Sequence, residues 1–185
     1  MSVAPTSLTA DDLLALDDIG RCELVRGELI MMSPASASHG MVAARLLISV
    51  GSFVQAHDLG ATFAAETGFR IESDPDTVRA PDVSFVEKRR IDAGGVPARG
   101  FFEGPPDLAV EVISPGETKK KVVAKAKMWL QKGCKSCWVV DPVARTIEIY
   151  RPRRKVIVLR NGATLSNEPM LPGFSLSLKS LFRLP

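Results

Sequence analysis

The sequence predicts an α/β fold with a central mixed β-sheet flanked by helices, and three observations carry that expectation. The stretch Asp107 to Ile113 is apolar on both faces apart from Glu111, which marks a strand lying centrally in a sheet. Residues 36–57 and 118–132 bring apolar side chains back at helical spacing. The chain order of helix, hairpin, long helix, strands, helix and strand fits one sheet covered by helices.

The elements follow in order. Thr9 before Ala10-Asp11-Asp12-Leu13-Leu14 reads as a capped short helix, its hydroxyl accepting an orphan amide and its acids facing the positive helix end. Glu23 to Ile30 reads as two short strands around a tight turn at Gly27, and Ser33-Pro34 ends that unit. Ser36 or Ser38 caps a long helix to about His57, with Met41, Leu46, Leu47, Val50 and Val54 at its apolar positions. Ala61 to Ile71 reads as strand with a bend at Gly68, and Ser73 to Asp76 as a turn. Pro81 to Val86 is a strand opening with Asp82, and a Gly- and Pro-rich loop spans 94–106. After the central strand, Thr118 to Lys132 forms a helix closed by Gly133. Ser136 to Asp141, Thr146 to Tyr150 and Lys155 to Leu159 are further strands, the last at an edge. The tail from Leu171 to Leu184 is apolar enough to dock on the domain.

A chain of 185 residues is expected to form a single domain, 1–185, with a sizeable core. Its 45% apolar and 24% charged residues are ordinary for a globular protein, and a net charge of +3 proves no nucleic-acid partner by itself. The start lacks a basic region followed by an apolar one, and the apolar stretch Met41 to Val54 contains Arg45 and is too short to span a bilayer. The expectation is a cytoplasmic protein with no membrane partner. Three cysteines, Cys22, Cys134 and Cys137, argue against a disulfide framework. Cys134 and Cys137 have CxxC spacing, but a structural zinc needs four ligands, and the spacing reads as two partly buried thiols entering a strand.

Glu111 carries the chemistry. A carboxylate inside an apolar strand is costly unless a cation, a metal or several donors compensate it. Asp82 opens a different strand directly after a proline. If the two strands are neighbours, both acids face one cavity and suit a hard divalent cation, Mg2+ or Mn2+, with the Val112 carbonyl as a further oxygen ligand. The alternative for Glu111 is a structural ion pair to an interior Lys or Arg. Asp107 also follows a proline, but it lies four residues before Glu111 on the same strand and reads as a turn residue.

Several segments together resemble the Uma-two family, bacterial proteins with a restriction-endonuclease-like fold. They are Glu23 to Leu29, Ser33-Pro34 followed by His39, Pro81-Asp82-Val83, Val110 to Pro115, Lys125 and Trp138 to Pro142. The resemblance covers roughly residues 9 to 178. It implies a PD-(D/E)XK nuclease core and an endonuclease site at Asp82 and Glu111, with Glu23 and His39 at further motif positions near it. The superfamily's usual lysine stands two residues after the glutamate, because alternate strand residues share a face; that position here is Ile113. The family lacks lysine there and a helix lysine takes over, a position matched by Lys125. The family's acid four residues before that lysine is Lys121 in this chain, reversing the local charge.

The expected function is therefore a Mg2+- or Mn2+-dependent endonuclease hydrolysing DNA, with Asp82, Glu111, Lys125, Glu23 and His39 as site residues and a homodimer as the assembly. The alternative is a nuclease-fold protein that binds DNA or a protein without cutting, favoured by Ile113 and Lys121. Residue by residue, Glu23 also reads as a surface strand acid, His39 as a polar residue of a first helical turn, and Lys125 as a snorkelling surface lysine. Lys119, Lys120 and Lys121 with Lys125 and Lys127 form one basic cluster that reads either as a phosphate contact or as a solvated face. Arg151, Arg153, Arg154 and Lys155 form a second, without interleaved aromatics for base stacking.

Overall fold

The structure is a computed structural model that describes residues 7–16 and 19–184. The first helix, α1 (Ala10–Ala15), is capped by Thr9, whose hydroxyl accepts from Asp12 N–H while the Asp12 carboxylate accepts from Thr9 N–H. Strands β1 (Cys22–Val25) and β2 (Glu28–Met31) make the foreseen hairpin. Arg26 and Gly27 both take positive φ, 52° and 76°, as a two-residue hairpin turn requires. Helix α2 (Ala37–Ala56) starts on a Ser36 cap. It is longer than the apolar stretch read from sequence, and by length and composition it is long enough to cross a membrane. Its stripe of Val42, Leu46, Val50 and Val54 is nevertheless buried in the main core, with Val42 taking the innermost place expected of Met41.

The remaining elements are β3 (Gly60–Ala64), β4 (Phe69–Glu72), β5 (Thr77–Arg79), β6 (Val83–Glu87), α3 (Lys88–Gly94), β7 (Phe102–Glu103), β8 (Leu108–Val112), α4 (Lys119–Gln131), β9 (Ser136–Asp141), β10 (Thr146–Tyr150), β11 (Ile157–Arg160), β12 (Thr164–Leu165), β13 (Leu176–Ser177) and α5 (Leu178–Leu181). A six-stranded mixed sheet runs β11-β10-β9-β8-β6-β3, with β8 and β9 parallel and the other neighbours antiparallel. Strand β8 is central and buried along its whole length, as its apolar pattern requires.

A second sheet, β2-β1-β5-β4-β7, was not foreseen. The stretch read as one bent strand from Ala61 divides into β3 and β4, which belong to different sheets. Gly68 permits the change, since a Cβ there would lie 2.4 Å from the Phe101 ring. The loop expected at 94–106 holds the short strand β7, which pairs parallel to β4.

Strand alternation sorts the two faces of the six-stranded sheet. Leu108, Val110 and Val112 of β8 pack with α2, together with Phe85, Trp138, Val140 and the tail residues Leu171, Phe174 and Leu178. Ala109, Cys137 and Val139 pack on the other side with Val122, Ala126 and Trp129 of α4 and with Phe69 and Phe102 of the second sheet. Glu111 has the parity of Ala109 and so belongs to the α4 side.

Two local expectations need correction. Asp107 is not a turn residue but is 3% exposed, ion-paired to Arg90 and Lys135 and accepting from Glu87 N–H. Burial would raise its carboxyl; these three donors outweigh it and hold the carboxyl below its ordinary value. In the second basic cluster, Arg151 turns inward to Glu168 at 3.0 Å, leaving Arg153, Arg154 and Lys155 exposed. The cysteine expectation matches the structure: all three are free, and burial pushes the Cys134 thiol up to about 12.

Glu168 is 1% exposed and also accepts from Ser136 Oγ and Trp138 Nε1, which fixes the tail to β9. Replacing it strands a guanidinium and two donors in the core. Glu168→Ala is expected to lose about 3–5 kcal/mol of stability in urea unfolding; a loss below about 1 kcal/mol would contradict this role for the tail.

Candidate active site

The ladder between β6 and β8 brings the two acids together. Val83 pairs with Val110 and Asp82 N–H donates to Val110 O at 3.0 Å, so the register one residue on sets Asp82 opposite Glu111. Opposed residues in an antiparallel pair share a face. Both side chains line one cavity of about 400 Å³, together with His39, Lys125 and Arg21. Asp82 is held by two donors on Oδ2: Val112 N–H at 2.7 Å and His39 Nε2 at 3.1 Å. His39 sits in the first turn of α2 and is 6% exposed. Its bond to Asp82 raises its pKa against the opposing effect of burial, and its Nδ1 is buried without a hydrogen-bond partner among the described residues.

Glu111 is tethered from the helix above it. Trp129 Nε1 donates to Oε1 at 2.6 Å, and the Lys125 ammonium lies 3.1 Å from Oε2. Lys125 and Trp129 stand four residues apart on α4 and so project from one side of it. Lys125 also reaches Glu23 at 3.0 Å and the Ala80 carbonyl at 3.2 Å. Glu23 comes from β1 of the second sheet, is 5% exposed, and is further held by Arg79 at 3.0 Å and Ala80 N–H at 3.1 Å.

Burial pushes the Glu111 carboxyl up to about 7; the Lys125 charge opposes this, and the nearby Asp82 and Glu23 charges add to it. Burial works against the Lys125 ammonium, but the charges of Glu111 and Glu23 more than offset it, so Lys125 stays protonated.

The donor set fits a hard cation. Asp82 Oδ1 accepts no hydrogen bond among the described residues, while Oδ2 is fixed. No group of three His, Cys, Asp or Glu placed to hold a metal occurs among the described residues. A pair of carboxylates suits magnesium, which keeps several waters and takes one or two protein carboxylates.

Comparison with known proteins identifies the family of this chain. The model of a family described as "Uma2: Putative restriction endonuclease" matches residues 10–179. The chain belongs to the Uma2 family. Among solved structures, it is similar to the crystal structure of "a putative nuclease belonging to DUF820" from Anabaena variabilis. The two are 24% identical over 95% of this chain and 97% of that one, with a TM-score of 0.79, a likeness that shows the mixed α/β fold. No curated protein matches the chain.

The five side chains expected at the site are brought together in this Uma2 protein, and the departure from the superfamily pattern has a spatial explanation. Ile113 packs in the α4-side cluster, two residues after Glu111 and just past the end of β8. The amine that a lysine would offer from that position arrives from α4 through Lys125. Lys121 is exposed and outside the cavity lining, so its reversed charge does not enter the site. Lys119 pairs with Glu148. Val112, expected to offer its carbonyl, gives its N–H to Asp82.

Three contributors were not foreseen. Trp129 falls within the helix expected from Thr118 to Lys132 and was given no site role, although its spacing from Lys125 was a usable signal. Arg79 lies on β5, a strand with no separate reading, and Arg21 gave no sequence signal.

Removing the Lys125 ammonium leaves Glu23, Asp82 and Glu111 near one another without it. Lys125→Met is expected to cost about 3–5 kcal/mol at pH 8. Glu111 already ionises above its ordinary 4.5 in the folded state, so its cost is absent below that value and complete above about 7. Losing Lys125 raises Glu111 further and enlarges that cost. The difference from the parent should therefore shrink at pH 5; a difference equal at both values would contradict the ion-pair account.

Proposed function

We propose that this protein is a Mg2+- or Mn2+-dependent endonuclease that hydrolyses DNA phosphodiester bonds. The observation that carries the proposal is the convergence of Asp82 and Glu111 from neighbouring strands on one cavity, with the Lys125 amine 3.1 Å from Glu111. Membership of a family described as a restriction endonuclease supports it.

Asp82 and Glu111 would hold the cation. A strand residue directs its N–H and carbonyl toward the same neighbour, so the Val112 carbonyl is the proposed third protein oxygen. When bound, the cation supplies a water of lowered pKa and neutralises charge on the phosphate and the leaving oxygen. His39 orients Asp82, leaving Oδ1 for the cation. Trp129 fixes Glu111 in the same way. Lys125 would stabilise the negative phosphate oxygens and help position the attacking water. Glu23 and Arg79 hold Lys125 over the strands. Cutting both strands of a duplex with one such site per chain calls for two copies, so a two-fold dimer is part of the proposal.

A second reading, a nuclease-fold protein that binds without cutting, is favoured by the closed ion pairs of Lys125 with two carboxylates. The variants Asp82→Ala and Glu111→Ala separate the two. Each is expected to fold and to lose at least about a hundredfold in metal-stimulated cleavage of duplex DNA, measured by gel. Cleavage at the parent's rate by either variant would show that the site is misassigned, and no cleavage by the parent in Mg2+ or Mn2+ would favour the second reading.

A further inference from the structure

Two cationic side chains, Lys125 and Arg21, and the imidazole of His39 line the Asp82–Glu111 cavity among the described residues, and Lys125 and His39 are committed to acids. Lys125 is bound to Glu23 and Glu111, and His39 to Asp82. That leaves Arg21. Its backbone is locked: Met32 N–H donates to Arg21 O at 2.8 Å, extending the β1–β2 ladder one residue beyond Cys22 and Met31. Strand parity then puts the Arg21 side chain on the same face as Glu23, two residues on, toward the cavity.

Arg21 also lines an adjoining cavity of about 340 Å³ bounded by Leu13, Ile19 and Phe101, so it forms the wall between the two. Among the described residues its acidic partner is Glu66, with Nε 2.8 Å from Oε1. Glu66 is 64% exposed, and the buried Nε is not aligned as a hydrogen bond to any acceptor among the described residues. A pair of this kind contributes little and exchanges readily for a better acceptor.

A phosphodiester entering beside these carboxylates needs a cation whose own acidic partner is exposed and lies outside the lining of that cavity. We propose that Arg21 is a substrate-binding residue that grips a backbone phosphate next to the scissile bond, exchanging Glu66 for two phosphate oxygens. The guanidinium fork suits that geometry, and its positive charge attracts the phosphate backbone. This inference rests on the nuclease reading and adds to it a residue that acts in binding.

The test uses the full chain, a short labelled DNA duplex and fluorescence anisotropy in EDTA over a series of salt concentrations. Arg21→Ala is expected to weaken binding about tenfold and to reduce the slope of log K against log salt by about one. Glu66→Ala removes the same ion pair but keeps the cation, and should bind at least as tightly as the parent. Arg21→Lys should keep the salt slope and recover only part of the affinity. Parent-like affinity and slope in Arg21→Ala, or equal losses in the Arg21 and Glu66 variants, would overturn the proposal. If that happens while Asp82→Ala still abolishes cleavage, the nuclease reading stands and only the role of Arg21 fails. A parent that neither binds nor cuts duplex DNA overturns both.

Discussion

The Lys125 ammonium stands 3.0 Å from Glu23 and 3.1 Å from Glu111, and the rest of the site is arranged around it. Carboxylates drawn from two sheets and buried side by side need a positive charge between them. The chain supplies that charge from a helix packed across the β8 face and holds the helix there with Val122, Ala126 and Trp129, all buried. Packing of an apolar stripe thus fixes where a charge lies, and the charge permits the acids that give the cavity its chemistry.

The same arrangement explains why the second sheet matters. It delivers Glu23 and Arg79 from one side while Asp82 and Glu111 come from the six-stranded sheet. The hairpin that carries Glu23 also carries Arg21 on the matching face. Helix α2 contributes His39 from its first turn and buries its apolar stripe against the opposite face of β8. Each of the two sheets and two principal helices therefore contributes at least one side chain to the cavity.

Much of this was legible in the residues themselves. An acid within an otherwise apolar strand marked Glu111 as compensated, and the strand beginning after Pro81 marked its counterpart. Capping at Thr9 and at Ser36 was readable because side-chain hydroxyls before apolar periodic stretches have one favourable use. What local pattern did not reveal is partnership. Nothing in the stretch from Ala61 to Ile71 announces that its halves serve different sheets; that depends on Phe101 packing against Gly68 from far along the chain. Asp107 resembled a turn residue because its partners Arg90 and Lys135 are long-range. Trp129 looked like core because its ring is core, while only its indole N–H serves Glu111.

Diffraction from crystals soaked in Mn2+, recorded at the manganese absorption edge, would examine the central claim directly. The account predicts one strong anomalous peak in the cavity, within coordination reach of carboxylate oxygens from both Asp82 and Glu111, with the Lys125 amine displaced from Glu111. A cavity without a peak at saturating Mn2+, or a peak bound by only one of the two acids while Lys125 keeps its hold on Glu111, would contradict it.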